Sequence, residues 1–125
     1  MLIDVSANPT TLITATVAVF LGGALGGLAR WALSQIPADR VGTFAANMAG
    51  ATILGFVAGA PEVWQLAAGV GFAGALSTWS TLAKEIGELM NAKNYGEAAR
   101  YVAWTAALGI VSAYFGLMWG ARGFA

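Results

Sequence analysis

Charged residues divide this chain into long uncharged stretches. Asp4 and Arg30 bracket 25 residues without a charge, Arg40 and Glu62 bracket 21, Glu62 and Lys84 another 21, and Arg100 and Arg122 a further 21. Such stretches leave no polar stripe to face water, which a surface helix of a soluble protein requires. A helix needs about 20 apolar residues to cross the hydrocarbon core of a bilayer. The pattern therefore predicts four transmembrane helices: Thr11 to Gln35 with Pro37 as a stop, Val41 to Ala60 ending at Pro61, Glu62 to Asn91 with an amphipathic extension past Lys84, and Glu97 to Ala121. The connections are short, so consecutive helices run antiparallel, and residues 1–125 read as one all-α membrane domain. The first stretch is too long for the apolar region of a signal peptide and has no basic residues before it.

Composition removes the alternatives in water. The 125 residues are 58% hydrophobic and 10% charged, whereas a soluble domain carries about a quarter charged residues. Six basic and six acidic residues cancel, which leaves no electrostatic footprint for a phosphate backbone, so nucleic acid is not an expected partner. Without Cys or His the chain has no thiol nucleophile, no disulfide and none of the commonest metal ligands. No enzyme chemistry is expected.

Lys and Arg counts near the spans set orientation. The first and third connections share one side and carry Arg40, Lys84, Lys93 and Arg100, with Arg30 close by, against only Arg122 and the N-terminal amine on the other. Those two connections are expected in the cytoplasm of a multi-pass protein of the inner (plasma) membrane. Seventeen glycines include the small-xxx-small pairs Gly22/Gly26, Gly23/Gly27, Gly55/Gly59 and Gly116/Gly120. In lipid, helices associate by close backbone approach, which glycine permits.

Each polar residue at depth needs a reason, because an unsatisfied polar group in hydrocarbon costs several kcal/mol. Asn47 falls about two turns into helix 2, Arg30 near the cytoplasmic end of helix 1, and Thr105 and Ser112 in helix 4. Helix 3 carries Gly69, Gly71 and Gly74 followed by Ser77, Thr78, Ser80 and Thr81. Glycine is costly in a helix and Ser/Thr compete for backbone carbonyls, so two readings stand: a break between Gly74 and Thr78, or an intact helix whose hydroxyls bond one turn back. No carboxylate lies in any uncharged stretch, whereas a small multidrug-type exchanger of protons for cations needs a buried acid. Neutral amide and hydroxyl donors without counter-charge suit a small anion, and aromatic edges can assist.

Three segments carry a resemblance. Gly22-Gly23-Ala24-Leu25-Gly26-Gly27-Leu28-Ala29-Arg30-Trp31, Gly42-Thr43-Phe44 through Asn47 to Gly50, and Gly71-Phe72-Ala73-Gly74 through Ser77-Thr78-Trp79-Ser80-Thr81-Leu82 occur in that order and span most of the chain. Together with length and span number they resemble the Fluc/CrcB family of fluoride channels. The resemblance implies an antiparallel, dual-topology-type dimer of four-helix subunits with a break in helix 3. It also implies two fluoride pathways at the interface and one structural Na⁺ at the dimer centre, held by the backbone carbonyls of Gly74 and Ser77. Asn47 matches the pore asparagine. Ser80 and Thr81 match the polar track of helix 3, and Tyr101 with Thr105 that of helix 4. Arg30 stands at the vestibule, where it either attracts anions or snorkels.

Two positions depart from the family pattern. Its two helix 3 phenylalanines are Trp79 and Leu82 here. An indole still offers a polarised edge and an N–H, but leucine offers neither and can seal a pathway. A chain that dimerises with itself in antiparallel fashion must also insert both ways, which the Lys/Arg bias opposes. The expectation is a fluoride-selective subunit for passive export, paired with itself or with a paralogous subunit of opposite bias. The alternatives are a small multidrug-resistance-type exporter and a non-conducting assembly subunit.

Overall fold

The computed structural model describes residues 8–125 and is all-helical. Asp4 and the N-terminal amine, used above to bound the first stretch and to count charge, lie outside the described residues. Helix α1 (Pro9–Ser34) opens with Asn8 as its cap, whose side chain accepts from Thr10 N–H at 2.9 Å, and with Pro9 in the first turn, where its missing N–H costs nothing. Helix α2 (Val41–Phe56) follows Arg40, which takes a left-handed backbone conformation at φ 65°, and ends in a 3₁₀ turn, Val57–Gly59. Helix α3 (residues 62–76) is irregular: single α turns at Glu62–Trp64 and Gly74–Leu76 flank a π-helical stretch, Gln65–Ala73. Helix α4 (Trp79–Asn91) and helix α5 (Tyr95–Gly123) complete the chain. The last helix starts two residues before the expected Glu97, since Asn94 occupies the cap position.

Four helical segments are long and apolar enough to cross a membrane: Pro9–Ser34, Val41–Gly59, Glu62–Asn91 and Tyr95–Gly123. Their outward faces are apolar, with Phe20 and Ile110 both 72% exposed, an arrangement stable only against lipid or another apolar surface. The chain is a multi-pass membrane protein.

Glycine sets the packing. A Cβ at Gly22 or Gly26 would collide with the backbone of Ala67 or Phe72 on α3, and one at Gly71 with Val19 on α1. On the other side, Gly55 lies against Ala113, while Gly116 and Gly120 lie against Thr52 and Phe56. From Gly22–Ala67 to Gly26–Phe72, and from Gly116–Thr52 to Gly120–Phe56, the contacts advance in the same sense along both helices, so α1 runs parallel to α3 and α2 to α5. Backbones this close gain dispersion and weak C–H···O contacts that larger residues would forbid. Gly27 and Gly59 have nothing within 4 Å and Gly23 meets only the Gly71 carbonyl at 3.9 Å, so Gly22 and Gly26 carry the tight contacts of the double glycine pattern on α1.

Candidate functional site

Between α3 and α4 the backbone is extended, at Ser77 (φ −71°, ψ 153°) and Thr78 (φ −146°, ψ 118°). Such a segment leaves polar groups to be satisfied, which is expensive at membrane depth. The side chains that satisfy it come from α2 and from the segment itself. Gly50 brings α2 against Ser77, where a Cβ would sit 3.0 Å from the serine Cβ. One turn earlier, Asn47 meets Thr78: its Oδ1 accepts from the Thr78 N–H at 2.6 Å and its Nδ2 donates to the Thr78 carbonyl at 3.2 Å. Thr78 then caps α4, its Oγ1 accepting from Thr81 N–H at 3.2 Å.

These caps have a second consequence. In a continuous helix the N–H groups of Thr78 and Thr81 would go to the carbonyls of Gly74 and Ser77. Both donors are diverted, so those two carbonyls lack their usual partner. Gly74 is exposed on the subunit surface and Ser77 half-buried, with its hydroxyl donating to Ala73 at 2.9 Å.

Two clefts flank Thr78. One, of about 340 Å³, is lined by Asn47, Met48, Ser77, Thr78, Trp79, Leu82, Thr105 and Gly109. It holds no charged residue, and the Thr105 hydroxyl is buried without a hydrogen-bond partner. Buried hydroxyls are nearly always paired, so an orphan one invites a ligand. Leu82 is 8% exposed and packs with Leu89, Ala98 and Tyr101, while Trp79 is 80% exposed and projects from the subunit. The other cleft, of about 360 Å³, lies between α1, α2 and the extended segment, with Arg30, Ser34, Thr43, Thr78 and Thr81 among its walls. Arg30 Nη2 donates to Thr81 Oγ1 at 2.9 Å. Arg30 is the one charged residue of this cleft.

The structure thus brings Asn47, Trp79, Leu82 and Thr105 to one cleft, and Arg30 and Thr81 to the other, with Thr78 shared. Ser80 is exposed and lines neither; its hydroxyl lies 3.4 Å from Thr78 Oγ1. Tyr101 lines neither cleft. Its hydroxyl donates to Glu85 Oε2 at 2.5 Å, while Thr43 Oγ1 donates to Glu85 Oε1 at 2.6 Å. The Arg40 guanidinium lies 5.7 Å from the Tyr101 ring centroid and pairs with Glu97 at 3.4 Å. Sequence reasoning missed this hub because Glu85 lies just past the third uncharged stretch and reads as part of a solvated extension. The signal was spacing: Glu85 is three residues after Leu82 and four before Leu89, so it shares their inward face.

Residues 17–117 match the family model described as "CrcB-like protein, Camphor Resistance (CrcB)". "Fluoride-specific ion channel FluC 2" of Corynebacterium diphtheriae is 47% identical over 100 residues, covering 80% of this chain and 95% of that protein. "Fluoride-specific ion channel FluC 2" of Bacillus cereus (strain ZK / E33L) is 36% identical over 110 residues, covering 82% and 93%. "Fluoride-specific ion channel FluC 1" of Listeria monocytogenes serotype 4b is 35% identical over 112 residues, covering 83% and 95%. The four membrane-capable helices, the glycine-packed pairs and the match over residues 17–117 converge on one assignment: this chain belongs to the CrcB family.

Proposed function

We propose that the chain is a subunit of a fluoride-selective channel, carrying fluoride passively out of the cytoplasm, and not an enzyme. The observation that carries this reading is an uncharged cleft walled by both Asn47 and Thr105, the second of which holds a buried hydroxyl without a hydrogen-bond partner. Fluoride holds its water tightly, so a pathway must replace that shell with preplaced donors. Asn47 keeps one amide hydrogen after bonding Thr78, and Thr105 keeps its hydroxyl hydrogen. Neither carries charge, so an anion is held without being trapped. The relatives' designation as fluoride-specific ion channels supports the choice of ion.

The functional assembly in this proposal is an antiparallel dimer with the extended pair Ser77–Thr78 serving as the break in helix 3. The unpartnered carbonyls of Gly74 and Ser77 suit a hard cation, which takes oxygen ligands, and two subunits would supply them from both sides. By taking the N–H groups of Thr78 and Thr81, Asn47 and Thr78 keep these carbonyls free, and a Na⁺ bound to them would supply charge that fastens the subunits. Trp79, standing out from the subunit, then covers the neighbouring chain. The partner is a paralogous subunit of opposite charge bias, in keeping with Leu82 at the pathway wall, the Lys/Arg asymmetry and the numbering of relatives as 1 and 2. Connections one and three face the cytoplasm in the principal orientation.

The test is reconstitution into liposomes, read with a fluoride-selective electrode. Fluoride leaves when this chain is paired with a paralogous subunit of opposite charge bias, and removing Na⁺ from all solutions dissociates the purified pair. Robust efflux from this chain alone would refute the pairing, and no efflux with any paralogue would refute the channel.

A further inference from the structure

A helical hydroxyl commonly spends its hydrogen on the carbonyl one turn back. Thr16, Thr52 and Ser77 do this, donating to Leu12, Met48 and Ala73 at 2.8, 2.9 and 2.9 Å. Thr81 makes no such bond. Its oxygen instead accepts twice, from Arg30 Nη2 at 2.9 Å and from Thr78 Oγ1 at 3.1 Å. A hydroxyl oxygen has two lone pairs and one hydrogen. With both lone pairs taken, the Thr81 hydrogen is left to be given away.

The other hydroxyls of the same cleft are spent. Thr43 donates to Glu85 at 2.6 Å, Ser34 to the Trp31 carbonyl at 2.5 Å, and Thr78 to Thr81. Of the four, Thr81 alone keeps a free hydrogen, and it stands beside the cleft's one positive charge. The neighbour that enforces this must be unable to accept. A guanidinium has five N–H donors, no acceptor and no accessible neutral form. A hydrogen bond from a cation also draws charge from the hydroxyl oxygen, which strengthens its own O–H as a donor.

We propose that Arg30 is a positioning residue that fixes the Thr81 hydroxyl as a one-way donor to an anion entering the cleft. This rests on the channel reading above and adds a source of its preference for a strongly accepting anion. The role differs from that of a charge that merely gathers anions at a mouth. Long-range attraction acts on any anion, adds to whatever Thr81 contributes, and fades as salt screens it within about 8 Å at physiological ionic strength. Orientation acts only through Thr81 and persists in salt.

The experiment is a double-mutant cycle in the conducting assembly, reading fluoride efflux per reconstituted complex at low and high ionic strength. Arg30→Met and Thr81→Val each lower efflux roughly tenfold, the scale of one hydrogen bond to a charged group. The double variant falls no further than either single one, and the losses are the same at both ionic strengths. Arg30→Lys, another donor-only cation, retains most of the rate, as does Thr81→Ser, and both elute from size exclusion like the parent complex. Multiplying losses in the double variant, or an Arg30→Met loss that vanishes in high salt, overturns the positioning role while leaving the channel standing. A parent complex that passes no fluoride overturns the channel reading and this inference with it.

Discussion

Asn47 holds Thr78 by both backbone groups, accepting from its N–H at 2.6 Å and donating to its carbonyl at 3.2 Å. One amide from α2 thereby satisfies the second residue of an extended segment that the membrane would otherwise penalise. Asn47 also lines the uncharged cleft, so in the proposed channel the amide hydrogen not given to Thr78 is the one left for the ion.

Substitution separates the two roles. Asn47→Asp keeps an acceptor for the Thr78 N–H but loses the donor and puts a negative charge at the cleft. We expect a complex that still assembles and passes no measurable fluoride. Asn47→Leu removes both bonds and should cost about 1–3 kcal/mol per buried group left unpaired. Thermal unfolding in detergent, run beside efflux, distinguishes the variants.

Thr105 gives the opposite balance. Its hydroxyl is buried and unpaired within the subunit, so Thr105→Val relieves a desolvation penalty of about 1–3 kcal/mol. The variant should be as stable as the parent or more so, yet conduct fluoride roughly tenfold more slowly, because a donor to the ion is lost. A destabilised variant with normal efflux would place this hydroxyl outside the pathway.

Glycine positions on α1 should split by face. Gly26→Val drives a side chain into the Phe72 backbone, and overpacking of this kind costs about 1–3 kcal/mol or more. At Gly27 an added Cβ has nothing within 4 Å, so Gly27→Val starts into open space. Its unfolding temperature as a single subunit should match the parent, and that of Gly26→Val should fall by several degrees. Equal effects would mean that α1 packs in the other register.

Tyr101 is committed to Glu85, which also receives Thr43. Glu85→Ala leaves two hydroxyls without their acceptor and should destabilise by about 1–3 kcal/mol, while Tyr101→Phe removes only one donor and should cost about 1 kcal/mol. In the Glu85→Ala background Tyr101→Phe should cost nothing further, a non-additivity that a double-mutant cycle in thermal unfolding reads directly.

Much of this architecture is written in one-dimensional pattern. Charge spacing alone marks four membrane helices, because a bilayer has a fixed thickness and a charge at its centre is expensive. Gly22, Gly26, Gly116 and Gly120 announce close packing for an equally general reason. Asn47 stands out as a lone amide at depth. What the pattern does not carry is partnership across the fold. Nothing local shows that Asn47 bonds Thr78, or that the Thr78 hydroxyl is turned inward to cap α4 while that of Ser77 bonds back to Ala73. Glu85 was hidden by its neighbours, since Lys84 and Glu88 form an exposed pair at 3.8 Å and make the segment look solvated. The bond from the Tyr101 hydroxyl to that carboxylate is likewise a partnership that no local pattern announces.

Selectivity is the most direct test of a passage built from neutral donors. Liposomes carrying this chain with a paralogous subunit, loaded with equal fluoride and chloride, should release fluoride when potassium conductance is supplied and retain chloride over the same interval. Release of both halides at similar rates, or of chloride alone, would contradict it.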